Sequence, residues 1–316
     1  MSRWSFDLTA APPPDTAVEV ASRHVAAAAL ARRGGQPVVS AYAVEPLPEG
    51  AVVPSLTGQN IRDRAVVSGA VARALESVGR PKRIGLVVPD PVAKVSLVRF
   101  EQVPARLQDL EQLIRWQVRK AAPFPIEEAQ VSFTEAGAVA GGREFLVSMA
   151  KREVVEEYEG LLAANGAHAG VVDLSTFNVV NAVLASATVP STADWLLVNV
   201  DASDVASIAI LRGSQIILFR TRGADTDGTL ADLVHQTAMY YEDRLQGAGF
   251  TRAVMCGGSG DDVRRSLEQR LAVTVDTVDI RAAAALTDRI TAAPALLDAL
   301  APLAGLLLRG GGERAA

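Results

Sequence analysis

One cysteine, three histidines and four lysines are all that this 316-residue chain holds of those types, and aromatics make up only 5% of it. Each scarcity excludes something. Cys256 has no partner for an internal disulfide, and no Cys and His cluster has the spacing of a structural zinc site. A reducing compartment fits such a chain. His24, His168 and His235 stand far apart, so none is assigned chemistry. The cations are nearly all arginine, Lys82, Lys94, Lys120 and Lys151 being the exceptions. With the abundant alanine, that skew reads as genome base composition. A formal charge of -5 and a pI near 5.4 leave no electrostatic footprint for nucleic acid or anionic lipid. Also missing are a GKS or GKT phosphate loop, a GxSxG elbow, an HExxH pair and a Rossmann GxGxxG after a strand.

Long hydrophobic runs are scarce too, although the mean hydropathy is +0.20. The most apolar window, Ala292 to Leu308, is interrupted by Pro294, Asp298 and Pro302, and predicts a buried terminal helix rather than a membrane span. Near the amino terminus, Asp7 and a proline run stand where a signal peptide needs an apolar core, so a cytoplasmic protein is expected. What is present is ordinary globular composition, 49% hydrophobic and 21% charged, at a length that suits two domains.

After a mobile tail over residues 1–15, strands are expected at Ala17 to Ala21, Val25 to Ala31 and Pro37 to Pro46, forming an antiparallel meander. A helix over Ile61 to Val78 and strands at Arg83 to Pro89 and Val95 to Glu101 follow. Leu107, Leu110, Leu113, Ile114, Val118 and Ala121 then mark an amphipathic helix stopped by Pro123 and Pro125. A hairpin around Gly141 and Gly142, a helix closed by Asn165 and Gly166, a strand at Gly170 to Asp173 and a helix through Phe177 and Val183 complete the first part. Polar residues and Pro190 mark a boundary near residue 189. Beyond it the opening pattern repeats, with strands at Trp195 to Val200, Val205 to Leu211 and Gln215 to Arg220, and Arg212 and Gly213 turning the second into the third. A helix through Leu233 and Tyr241 leads to a strand at Ala253 to Cys256, a helix through Leu267 and a last strand at Val273 to Val278. The pattern predicts a duplicated α/β architecture whose two domains leave a cleft between them.

Three places could carry chemistry. The run CGGSGDD, 256–262, sets a Gly-rich turn between a strand and a helix. Gly257, Gly258 and Ser259 could there cradle an anion or a ribose, or simply form a tight turn with Ser259 as the helix N-cap. Asp261 and Asp262 favour the plain turn, because carboxylates in a first helical turn already satisfy its dipole. The other two places are the hairpins at Ala21 to His24 and Asp201 to Asp204, which in a duplicated fold face each other. Phosphate-binding hairpins need glycine and a metal-positioning acid; here Ala21 and Asp201 hold the glycine positions, and Glu19 and Asn199 the acid positions. If a nucleotide binds at all, Glu19, Ser22, Arg23, Asn199, Ser203, Gly257, Gly258 and Ser259 are the residues to hold it. No catalytic or metal-ligating residue is assigned.

The order of elements resembles the actin-like (ribonuclease H-like) ATPase superfamily. Within it the chain is similar to the PilM-like family, which includes MshI and the cytosolic part of GspL. The residues carrying the resemblance are IRWQVRKAAPFPIEEAQVSF at 114–133, with its Pro-Phe corner, LVSMAKREVVEEYEGLLAANGAHAGVVDLSTFNVVNA at 146–182, CGGSG, and the terminal APLAGLLLRGG.

That resemblance implies a first actin-like domain over 16–188 with an inserted α/β subdomain at about 90–170, and a second over 189–316. The large insertion of the second half is missing, since only Thr221 to Thr229 are available for it. It implies a cytoplasmic scaffold of a type IV pilus or related secretion platform at the inner membrane. The partner would be the amino-terminal tail of a PilN-like bitopic membrane protein, beside other platform proteins and optionally a second copy. Trp116, Pro123, Phe124 and Pro125 are the residues expected to meet it, with burial of Trp116 and Phe124 in the core as the competing reading. Direct membrane insertion and nucleic-acid binding are not expected, and no cofactor is. The alternative is an actin-like ATPase that binds ATP and magnesium and hydrolyses the nucleotide in the cleft.

Overall fold

A computed structural model describes residues 14–139, 141–186, 192–203, 205–222, 229–258, 261–287, 290 and 293–309. The chain begins with the expected meander, β1 (Thr16–Val20), β2 (His24–Arg33) and β3 (Gln36–Pro46), all antiparallel. β1 is buried along both faces, and its alternation sends Val18 and Val20 into one apolar cluster while Ala17 belongs to another. β4 (Arg83–Val88) joins β1 in parallel, and β8 (His168–Leu174) joins β4. Together with β14 (Ala285–Leu286) on β3, they form a six-stranded sheet in the order β14-β3-β2-β1-β4-β8.

Helix α1 (Arg64–Ser77) covers one face of this sheet through Val67, Val71 and Leu75. It starts three residues later than the sequence pattern suggests. The Asp63 carboxylate accepts from the Val66 N–H at 3.0 Å and caps the helix there, while Ile61 forms an isolated bridge with Val52. Before the cap, the loop between β3 and α1 is organised around Asn60, which is fully buried. Its amide bonds Ser55 N–H, the Ser55 and Gly58 carbonyls and the Tyr158 hydroxyl.

Between β4 and β8 is a three-stranded antiparallel sheet, ordered β5-β7-β6, from β5 (Ala93–Phe100), β6 (Ala129–Val139) and β7 (Gly142–Lys151). Helix α2 (Leu107–Val118) lays Leu110, Ile114 and Val118 on Phe145, Val147 and Met149. It tightens into a 3-10 turn at Arg119–Ala121 and stops at Ala122, whose extended backbone (ψ 129°) is what a following proline imposes. Helices α3 (Arg152–Ala164) and α4 (Ser175–Ser186) flank β8.

The second meander is β9 (Asp194–Val200), β10 (Ala206–Arg212) and β11 (Gln215–Arg222), again antiparallel. With β12 (Arg252–Gly257) and β13 (Val275–Thr277) it makes a sheet ordered β11-β10-β9-β12-β13, the same sequence of meander and parallel strands as in the first sheet. Helices α5 (Leu230–Leu245) and α6 (Asp261–Leu271) accompany it. Asp194 fixes this half: its carboxylate takes a bidentate pair from Arg212 at 2.7 and 2.8 Å and a bond from the Tyr241 hydroxyl at 2.6 Å. Burial and Asp194 together push the Tyr241 hydroxyl up to about 12.

The apolar window near the carboxyl end is α7 (Pro294–Leu308), with Leu300, Ala301, Leu303, Ala304 and Leu306 buried. It packs on α4 so closely that a Cβ on Gly305 would lie 1.7 Å from the Asn178 carbonyl oxygen. One cluster joins these helices to Ala17 and Ala28 of the first sheet and to Trp195 and Leu197 of the second. The two helices therefore form the layer that couples the sheets.

Candidate functional site

The two hairpin turns do face each other, and they are bonded together. Ser22, nearly buried, donates from Oγ to Asp201 Oδ2 at 2.7 Å. The other oxygen of Asp201 accepts the Ser203 and Val205 N–H groups at 2.7 and 3.1 Å, closing its own turn. Ser203 thus contributes its backbone amide. Arg23 is turned to Glu49 at 3.2 Å.

Behind the hairpins the polar contacts continue. Glu19 is buried, accepts from Ser175 Oγ at 2.9 Å, and has His24 Nε2 at 3.5 Å. Asn199 donates to Thr176 Oγ1 at 2.9 Å, and Thr176 in turn donates both its hydroxyl and its N–H to the carboxylate of buried Asp90. Burial pushes the Asp90 carboxyl above its ordinary range, against hydrogen bonds from Thr176 and Ser207 that favour its charged form. Asp90, Ser175, Thr176 and Ser207 were not among the expected site residues. The signal available for the first was Asp90-Pro91 directly after a strand, a turn-initiating pair that brings a carboxylate to the strand's end.

The Gly-rich turn has its own reason for glycine. Gly257 has φ +69° and a Cβ there would meet the Val200 carbonyl oxygen at 2.1 Å, so the backbone of β9 fills the space beside it. Gly258 is also left-handed, at φ +81°. The Gly257 N–H donates to the Asp298 carboxylate of α7, whose acid is pushed up by burial. Ser259 lies outside the described residues.

This geometry defines what the cleft can do. An oxyanion needs free donors, yet the Ser22 hydroxyl and the Ser203, Val205 and Gly257 amides are all engaged by the chain's own carboxylates. Glu19, Asp90, Asp201 and Asp298 make the region acidic. Among the described residues no group of three or more His, Cys, Asp and Glu could hold a metal ion. These bonds form a seam between the two halves.

A second region lies beside the seam, at the outer edge of the second meander, where Thr221 pairs with Ser207. A pocket of about 380 Å³ is lined by Leu56, Pro91, Ala93, Lys94, Val95, Phe219, Arg220 and Thr221. It is bounded by β5 and β11, each the edge strand of its sheet. Lys94 also donates to the Ala121 carbonyl at 2.9 Å, which joins the pocket rim to the Pro-Phe-Pro corner. At that corner Pro123 and Pro125 are exposed, while Phe124 is half-buried against the core under α2. Trp116 is 65% exposed, so it is not core, and it projects from the side of α2 away from Ile114.

A family model for the type IV pilus assembly protein PilM matches residues 17–248. A chain of the PilM-PilN type IV pilus biogenesis complex superposes with a TM-score of 0.78 at 18% identity, covering 95% of this chain and 99% of that one. A Bacteroides thetaiotaomicron protein of actin-like ATPase fold and unknown function superposes at 0.50 with 7% identity, covering 83% and 89% of the two chains. The cytoplasmic domain of EpsL, an inner membrane component of the Vibrio cholerae type II secretion system, gives 0.46 and 11%, covering 81% and 93%. The fold is actin-like.

Proposed function

The chain belongs to the PilM family of type IV pilus assembly proteins, and from that premise we propose that it works as a non-enzymatic scaffold of the pilus platform at the cytoplasmic face of the inner membrane. Its partner is the amino-terminal tail of a PilN-like bitopic membrane protein, bound as an extended segment. The halves 16–188 and 189–316 move as one frame, and other platform proteins or a second copy assemble on it.

The observation that carries this reading is the pocket between the edges of β5 and β11. An extended peptide gains main-chain hydrogen bonds from an unpaired strand edge and side-chain specificity from apolar pockets. Leu56, Val95 and Phe219 supply the apolar walls, and Lys94 connects them to the corner at Pro123, Phe124 and Pro125. The ATPase reading is disfavoured, because a nucleotide would have to displace the Ser22 bond to Asp201 and the Gly257 bond to Asp298 before meeting a donor.

The test is a calorimetric titration of the chain with a synthetic peptide of the partner's cytoplasmic tail. Saturable heat is expected, weakened at least ten-fold by Leu56→Asp, which puts a charge on the pocket wall, and weakened also by Phe124→Ala. Leu233→Ala, in the core of the second sheet, is the control for general destabilisation. If Leu56→Asp and Phe124→Ala both bind the peptide like the parent, the pocket and the corner are not the docking site.

A further inference from the structure

We propose that the carboxyl end of α2, with Trp116, Arg119, Lys120 and Lys94, is a contact surface for anionic lipid headgroups. Trp116 lies about 200° around the helix from buried Ile114, and Arg119 and Lys120, three and four residues on, share its side. Lys94 reaches the same end by donating to the Ala121 carbonyl. Lys151 ends β7 next to the start of β5, where Ala93 pairs with Ala150. Three of the four lysines in the chain therefore gather at one end of this small sheet. The net charge of -5 averages that concentration away.

Not all of this charge is available. Lys151 is paired with Glu153 at 2.6 Å and feels Glu128, and Arg115 is paired with Glu111. Arg119 and Lys120 are exposed and make no ion pair among the described residues. Glu127 and Glu128 follow in the next turn of the chain, and Glu128 acts on Lys151.

Charge complementarity selects the occupant. Free cations call for an anionic partner, and an indole with an apolar body and a polar N–H is suited to the boundary between headgroups and acyl chains. An acidic protein would instead use a broad apolar patch, whereas Trp116 is flanked by Gln112 and Gln117. A cation near an anionic leaflet raises partitioning about five-fold. With a tethered partner, such weak contact is enough to orient the scaffold. The inference depends on the proposed partner only for delivery to the membrane, and an assay without that partner lets the two readings fail separately.

The experiment is co-sedimentation of the full chain with vesicles containing about 30% phosphatidylglycerol, against purely zwitterionic vesicles, at low ionic strength. Quenching by brominated lipid is read in parallel. Binding is expected only to the anionic vesicles, to fall with salt, and to drop at least ten-fold in the double variant R119E/K120E. Quenching is read in a Trp4→Phe background, where it should vanish on adding Trp116→Phe, because the remaining Trp195 is buried. Lys82→Glu, far along the chain and exposed, should change little. Equal binding to both vesicle types, or unchanged binding in R119E/K120E, overturns the proposal. So does a result in which R119E/K120E loses the partner's tail peptide while vesicle binding is unaffected, which would make this a protein-docking surface.

Discussion

Replacing Asp201 by alanine removes one side chain but three hydrogen bonds from the seam. The carboxylate accepts from Ser22 Oγ at 2.7 Å and from two backbone amides at 2.7 and 3.1 Å. A hydrogen bond to a charged acceptor contributes about 1.5–3 kcal/mol, and a buried donor left without a partner costs about 1–3 kcal/mol. Ser22, only 2% exposed, becomes such a donor. Water can replace part of the amide bonding in the half-exposed turn, so the expected loss is about 3 kcal/mol. Ser22→Ala should cost less, about 1 kcal/mol, because Asp201 retains both amides. The double variant should show a coupling of about 1–2 kcal/mol between the two positions. Hydrogen exchange is the suitable assay, since it reads the Ser203 and Val205 amides directly. Their protection should collapse in Asp201→Ala, survive in Ser22→Ala, and return in part in Asp201→Asn, which keeps an acceptor oxygen. A coupling below about 0.3 kcal/mol, with protection at Ser203 unchanged in Asp201→Ala, would refute the idea that this carboxylate ties the hairpins together.

Four further outcomes are expected. Asp194 is held low chiefly by Arg212, so its contribution is present above the ordinary carboxylate pKa and lost as pH falls through its lower folded value; Asp194→Asn should flatten the acid limb of a stability-versus-pH curve. Asp90 has the opposite sign, because burial raises its folded pKa and its ionisation opposes folding as pH rises past about 4; Asp90→Asn should therefore gain more, or lose less, at pH 8 than at pH 4 in denaturation midpoints. Gly305→Ala forces a methyl to within 1.7 Å of the Asn178 carbonyl and should cost about 3 kcal/mol or more, read as a large fall in Tm. Asn60→Ala should cost about 3 kcal/mol and open the loop between β3 and α1 to proteolysis, while a loop that stays resistant would mean that Asn60 does not organise it.

Most of the fold was legible because its elements are locally encoded. The two-proline stop after α2, the Gly hairpin turns and the repeated meander all follow from backbone restrictions that one or two residues impose. The start of α1 was misread because Ile61 carries the helical apolar period while serving a bridge with Val52, and only the cap at Asp63 decides between them. At the cleft, the sequence named the hairpin residues but not their chemistry. That Asp201 meets Ser22 depends on a contact between positions 179 residues apart, and no local pattern encodes it. The seam residues Asp90 and Thr176 were missed for the same reason, since each is a common turn or helix-start residue until the fold sets them side by side. Trp116 was expected either in a partner groove or in the core, and periodicity could have excluded the core, because it falls opposite Leu110, Ile114 and Val118 on the helix.

The central claim, a cleft bonded by its own side chains in a chain that serves as a frame for partners, is tested most directly by titrating the purified protein with magnesium ATP in a calorimeter and assaying phosphate release in the same sample. The account predicts neither saturable heat nor phosphate from protein that is demonstrably folded. Saturable binding accompanied by turnover would contradict it and would make the cleft an active site.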